Sequence, residues 1–217
     1  EMTSSHCYSP ENFLGFSLFC YYIEVIKSII FDFFGVICPD LYWGWLRKQI
    51  PDLENQRGYF QELSDQFDLG KLSTTALIRI LSEKTSVKEE KVIPFIEQSV
   101  QIDTEVVEVI KSLKRNYKIG LLSNSNTEFI EGILKDHNLN DLFDSIVISQ
   151  KVGFIKPQRE IFEIALKELN VEASEVLFVD DRESNTSAGE KLGIRGILYR
   201  GANTLKEELK HQEILVN

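Results

Sequence analysis

Four places in the sequence set a reactive side chain directly at the end of, or just after, a short apolar run. Asp32 closes "VIKSIIF", Ser123 and Asn124 close "YKIGLLSN", Lys156 follows "SIVIS" within "GFIKPQ", and Asp180 with Asp181 close "EVLFVDD". Each has an ordinary explanation when taken singly. Ser123 or Asn124 would cap the following helix, Lys156 would be a solvated loop lysine, and Asp32 would be a loop-entry acid. Asp180 and Asp181 would also cap a helix, although adjacent carboxylates repel unless something neutralises them. Their recurrence, each in turn on the C-terminal side of a strand, points instead to one shared site. The chemistry that wants this set is phosphoryl transfer through an aspartate. A carboxylate nucleophile attacks phosphorus and divides the displacement into two steps. Mg²⁺, a hard ion that favours carboxylates, would neutralise Asp32, Asp180 and Asp181 together. Ser123 with nearby backbone N–H groups would hold a phosphoryl oxygen, and Lys156 would bring positive charge to the same oxygens.

The elements that must position these residues follow from the apolar spacing. Val25–Phe31 has the length and β-branched content of a strand. The next segments, "LYWGWLRKQI", "NQRGYFQELSDQF", "LSTTALIRILSEK" and "VKEEKVIPFIEQSV", carry apolar residues at helical intervals. Asp52 and Ser73 are expected as N-caps there, and Pro94 is expected to end or kink the last helix. From Asp103, a helix cap, strands and helices alternate to the C-terminus. Such alternation predicts an α/β fold: a doubly wound, Rossmann-like parallel sheet of about five strands, with helices on both faces. The expected organisation is a core of residues 25–38 and 101–217, an α-helical cap of residues 39–100 inserted after the first strand, and an N-terminal extension of residues 1–24. In sheets of this kind ligands bind beyond the C-terminal strand ends.

Composition narrows the function classes. The chain has 217 residues, 43% hydrophobic and 27% charged, which fits a globular protein with a full core. A formal net charge of −10 argues against a nucleic-acid partner, but a bound cation can reverse the sign locally for a small anionic substrate. Cys7, Cys20 and Cys38 have no metal-ligand spacing, and an odd number of cysteines fits a reducing, cytoplasmic setting. The apolar run from Phe13 to Ile23 is shorter than the roughly 20 residues a membrane-spanning helix needs, and no secretory signal pattern accompanies it. A membrane partner is therefore not expected, and the chain is expected to be a monomer or homodimer.

The stretches "FDFFGV", "LLSNSN", "GFIKPQREIF" and "FVDDRESNTSAGEKLG", in this order, resemble the four motifs of the haloacid dehalogenase superfamily of hydrolases. The resemblance runs from about Val25 to Tyr199, and the inserted helices match that family's small helical cap. Within it, the sequence is most similar to the sugar-phosphate phosphatase branch. The resemblance implies Asp32 as nucleophile and metal ligand and Lys156 as its catalytic partner. Ser123, Asn124 and Lys156 would hold phosphate. The carbonyl of Phe34 would join Asp32, Asp180 and Asp181 around Mg²⁺, and Asn185 would brace the last motif.

Phe34 departs from the family pattern. Most of its phosphatases carry Asp there as general acid and base, and a phenyl ring transfers no proton. Three readings stay open: a Mg²⁺-dependent phosphatase of a small phosphorylated metabolite that acts through an aspartyl-phosphate, a metal-free 2-haloacid dehalogenase, and a non-catalytic module that binds a phosphorylated ligand or protein. Dehalogenases of the family carry an aromatic residue at this position, but the pair Asp180 and Asp181 would then be left without a cation. In the cap, Tyr42, Trp43, Trp45 and Arg47 are either its own core or a stacking wall and anion contact for a sugar phosphate.

Overall fold

A computed structural model describes residues 25–214; the expectations for residues 1–24, including Cys7 and Cys20, lie outside these. Five strands form one parallel sheet: β1 (Ser28–Phe31), β2 (Lys118–Ser123), β3 (Ser145–Ile148), β4 (Val176–Asp180) and β5 (Arg195–Leu198). Their order is β3-β2-β1-β4-β5. The chain builds outward from β1 on one side, then returns to build β4 and β5 on the other. The crevice of a doubly wound sheet opens at that reversal, beside the C-terminal end of β1.

Both faces of the sheet are covered, as the alternation predicts. Ile29, Phe31, Leu121, Leu177 and Val179 pack with α5 (Thr104–Leu113), α6 (Thr127–Asp136) and α10 (Ala202–His211). The intervening residues Ile30, Leu122 and Phe178 pack with α8 (Arg159–Leu169) and the edge of α9 (Glu183–Glu190). The period of two along each strand assigns these side chains to opposite faces. Burial on both faces makes the strands continuous apolar runs. A short helix, α7 (Ser149–Val152), follows β3 directly.

Between β1 and α5 lie α1 (Leu41–Gln49), α2 (Arg57–Asp68), α3 (Thr74–Thr85) and α4 (Glu89–Glu97). They enclose a separate apolar cluster around Trp43, Trp45, Leu46, Phe60, Leu81 and Val92. The chain leaves and re-enters the core side by side, where the Asp103 amide donates to the Ile37 carbonyl at 2.9 Å. Ser73 caps α3, accepting from the Ala76 amide at 3.2 Å. Asp52 caps no α-helix. It accepts from Asn55 Nδ2 at 2.7 Å ahead of a single 3-10 turn, and that turn leads into α2. Pro94 lies inside α4, which continues to Glu97. Cys38 is buried, and burial pushes its thiol up to about 11, so it is an unreactive core residue. Among the described residues no helix is long and apolar enough to cross a membrane.

Asp103 Oδ1 accepts from the Glu105 and Val106 amides at 3.0 and 3.2 Å, which ties α5 to the neck of the inserted helices. Asp103→Ala is expected to lower stability by about 0.5–2 kcal/mol. Urea unfolding of the two proteins measures the loss, and an unchanged midpoint would contradict it.

Candidate active site

The site begins with a turn. Asp32 leaves β1 with its amide donating to the Val179 carbonyl at 2.9 Å, so it stands level with the end of β4. The Phe33 carbonyl then accepts from the Ile37 and Cys38 amides at 2.9 and 3.0 Å, folding "FFGVIC" back on itself. Gly35 makes that turn possible, with φ +97. It also leaves room for chemistry. A Cβ there would lie 2.4 Å from Asp181 Cγ and 2.5 Å from its Oδ2.

Lys156 lies at the centre. It is 4% exposed, and its Nζ stands 2.7 Å from both Asp32 Oδ1 and Asp180 Oδ2. Asn124 fixes the lysine's backbone, donating to its carbonyl at 3.0 Å and accepting from its amide at 2.8 Å. Asp180 also accepts from the Arg182 amide at 2.8 Å and from Asn185 Nδ2, which is 3.0 Å from each carboxylate oxygen. Asp32 Oδ1 has one further donor, the Phe33 amide at 2.7 Å.

These contacts set the charges. Burial works against the ionised form of Asp180, but Lys156, the Arg182 amide and Asn185 outweigh it and hold the carboxyl below its usual range. Burial dominates at Asp32 and pushes it well above that range; Lys156 opposes the shift, and Asp180 and Asp181 add repulsion. Asp181 is raised by burial and then by Asp180. Burial would lower Lys156, yet Asp180 and Asp32 override it, so the ammonium stays charged. One lysine therefore faces three acids, and two of them resist ionising without more positive charge.

A divalent cation fits that deficit. Asp32, Asp180 and Asp181 each offer a carboxylate oxygen within 4.8 Å of the others. Asp181 Oδ1 is buried and has no hydrogen-bond partner among the described residues, a costly state for a carboxylate oxygen unless a ligand satisfies it. Ser123 Oγ, fully buried at the end of β2, is likewise without a partner among the described residues.

The structure thus brings together Asp32, Phe34, Ser123, Asn124, Lys156, Asp180 and Asp181 at the strand ends. A cleft of about 920 Å³ opens above them, between the core and the inserted helices. Phe34 lines it, stacked on Phe129 at 6.1 Å and edge-on to Phe33 at 4.9 Å. The cap residues divide. Trp43 reaches the cleft, but it is 4% exposed, with the Arg57 guanidinium 5.1 Å from its ring centre. Trp45 belongs to the apolar cluster of the inserted helices. Arg47 is exposed and does not line the cleft, so it provides no anion contact there. The cause is helix geometry. Helix α1 meets the cleft at its N-terminus, and Arg47 lies about 10 Å further along the axis at a rise of about 1.5 Å per residue.

The sequence analysis missed Asp40, Arg182 and Asp68. Asp40 caps α1 through the Trp43 amide at 3.0 Å and pairs with Arg182 Nη2 at 3.0 Å. Arg182 directly follows the acid pair in "DDRES", so proximity in sequence could have flagged it. Asp68 is the last residue of α2 and lines the same cleft.

The chain belongs to the haloacid dehalogenase-like hydrolase family, whose model matches residues 26–193. A D-ribitol-5-phosphate phosphatase of Bacteroides thetaiotaomicron is 29% identical over 204 residues, covering 85% of this chain and 97% of its own. An (S)-2-haloacid dehalogenase 4A of Burkholderia cepacia is 26% identical over 188 residues, covering 83% and 80%. The solved structure of a HAD family enzyme from Bacteroides thetaiotaomicron, in complex with magnesium and inorganic phosphate, shares the fold. Its TM-score is 0.65 at 20% identity, over 81% of this chain and 94% of that one.

Gly35→Ala tests the acid cluster as a cation site. The added methyl must displace the Asp181 carboxylate and strain a left-handed backbone. Titration calorimetry with a divalent cation is expected to show at least tenfold weaker binding, a loss of about 1.4 kcal/mol. Equal affinities would mean that Asp181 is not a ligand.

Proposed function

We propose that this protein is a Mg²⁺-dependent phosphatase of a small phosphorylated metabolite, acting through an aspartyl-phosphate on Asp32. One observation carries the proposal. A buried lysine and three converging carboxylates meet at adjacent strand ends, next to a strand end whose buried serine has no partner among the described residues, and Asp32 and Lys156 open onto a cleft. The phosphatase relative and the magnesium and phosphate held by the solved relative of the same fold support it.

In this reading Asp32, Asp180, Asp181 and the Phe34 carbonyl would hold Mg²⁺, which would offset the charge of these acids and of the phosphoryl group. Lys156 and the Phe33 amide both engage Asp32 Oδ1, which leaves Oδ2 as the attacking oxygen. Oδ2 bonds to phosphorus as the ester P–O bond breaks, and the electron pair goes to the leaving oxygen. Ser123 and Lys156 hold the non-bridging phosphoryl oxygens, while Asn124 keeps Lys156 in place. Water then attacks phosphorus and releases phosphate from Asp32. A small polyol or sugar phosphate suits the cleft volume and the ribitol-5-phosphate phosphatase relative.

A second reading, dehalogenation, is favoured by Phe34 and by the haloacid dehalogenase relative. It leaves Asp181 Oδ1 buried without a partner, which favours the phosphatase. Halide release from a 2-haloacid in chelator separates the two.

Turnover should need magnesium and Asp32. Over a panel of sugar, alkyl and aryl phosphates, Asp32→Asn is expected to abolish phosphate release, because the amide is a poor nucleophile and uncharged. Activity within about tenfold of wild type would remove Asp32 as nucleophile.

Phe34→Asp places a carboxyl on the same turn. Where no other acid serves the leaving oxygen, it is expected to raise kcat/KM for alkyl phosphates more than for p-nitrophenyl phosphate, because only the poor leaving group needs a proton. Losing the stack on Phe129 also costs packing, so thermal unfolding must first show a folded variant. An equal change on both substrates would mean that another acid already serves the leaving oxygen or that the turn does not face it.

A further inference from the structure

The proposed phosphatase lacks a proton donor on its own catalytic turn, and among the carboxyls lining the cleft Asp68 is both bonded by a neighbouring hydroxyl and tied through its backbone to the core. Asp68 is contributed by the inserted helices, yet it is fixed to the core. Its carbonyl accepts from Ser149 Oγ at 2.7 Å, and Ser149 Oγ in turn accepts from the Ser125 amide at 2.9 Å. Ser125 is two residues from Ser123, so a short chain of hydrogen bonds joins the end of α2 to the phosphate-side strand end. The Asp68 carboxylate accepts from Ser64 Oγ at 3.3 Å and lines the cleft that Asp32, Phe34 and Lys156 also line.

We infer, on the basis of the phosphatase reading, that Asp68 is the proton donor to the leaving group, performing from the cap the task that Phe34 cannot. As Asp32 Oδ2 bonds to phosphorus and the ester bond breaks, the leaving oxygen takes the Asp68 proton and departs as a neutral alcohol. The Asp68 carboxylate then takes a proton from the water that attacks the aspartyl-phosphate. Phosphate leaves, Asp32 regains its carboxylate, and Asp68 is again a carboxylic acid.

The surroundings suit a group that must hold its proton near neutrality. Asp65 faces Asp68 from the same helix, Asp40 and the Tyr42 phenol from the start of α1, and Arg182 from the loop after β4. Helix α3, packed on α2, lines the cleft with the uncharged Thr74 and Leu77. Helix α7 turns the uncharged Gln150 toward Gly70 and pairs its Lys151 with Glu131. Burial in the cleft is the main effect. It outweighs Ser64 and Arg182, Asp65 and Asp40 reinforce it, and the carboxyl is pushed up to about 7. The acid form is the donor, so it is present below that pH and lost above it.

The test compares kcat/KM for an alkyl phosphate with kcat/KM for p-nitrophenyl phosphate, on the full chain with Mg²⁺. Asp68→Asn, nearly isosteric, is expected to lower the alkyl-to-aryl ratio by about 10²–10⁴-fold. A merely structural role would lower both substrates together and leave the ratio unchanged, which would overturn the assignment. A second measurement needs no variant. In the wild type the ratio is expected to fall as pH rises through about 7. A ratio that stays flat from pH about 6 to about 9 would overturn the assignment. Turnover of both substrates with either of these outcomes leaves the phosphatase standing without Asp68. Failure of the wild type to release phosphate from either substrate overturns the phosphatase and this assignment together.

Discussion

The structure depends on the double ion pair at Lys156. A lysine buried between Asp32 and Asp180, 2.7 Å from each, couples the end of β1 to the end of β4 through a residue that belongs to neither strand. Burying three charges is costly, and such a group persists only where geometry and further hydrogen bonds compensate. Here the compensation is distributed. Asn124 from the end of β2 clamps the lysine's backbone, Asn185 from α9 and the Arg182 amide satisfy Asp180, and the Phe33 amide serves Asp32. Removing one member would leave the others as uncompensated buried charge, so the strand ends form a single cooperative unit.

That unit is still short of positive charge, and the shortage links architecture to chemistry. Asp181 completes the acid cluster while its Oδ1 remains without a partner. A protein selected for stability alone would replace this oxygen with something apolar or provide a donor. Asp181 lies where a Cβ at position 35 would meet its carboxylate, so the glycine turn and the unsatisfied oxygen go together. The same turn that brings Asp32 forward also delivers Phe34, whose ring packs on Phe129 rather than contributing a polar group. The turn therefore presents a carboxylate at Asp32 and an aromatic ring, with no second acid, at Phe34.

Much of this was legible in the sequence, for physical reasons that differ by element. The five strands are buried on both faces, so they read as uninterrupted apolar runs, and their reactive ends stand out against them. The four inserted helices declare themselves by periodic apolar positions. Asp52 misled because a carboxylate before a polar stretch looks like a cap, whereas a 3-10 turn intervenes before α2. Arg47 misled because proximity in sequence to the catalytic strand does not say which end of α1 meets the cleft. Asp68 was invisible. In "LSDQFDLG" it reads as a solvated acid at a helix terminus, and only the docking of α2 on α7, a contact between residues 81 positions apart, sets it at the cleft.

The hydrogen bond between Ser149 and the Asp68 carbonyl also has a mechanical side. The inserted helices hang from a double neck, where the Asp103 amide holds the Ile37 carbonyl, and they are fastened again at Ser149. They are also held at the Asp40–Arg182 pair, and a body attached at a hinge and fastened beyond it behaves like a latched door. Swinging it away from the core must release the latch, at a cost of about 0.5–1.5 kcal/mol for one net hydrogen bond. Since about 1.4 kcal/mol corresponds to a tenfold population ratio, a fastening of this size would favour a closed cleft without locking it, and any opening would carry Asp68 away from the strand ends.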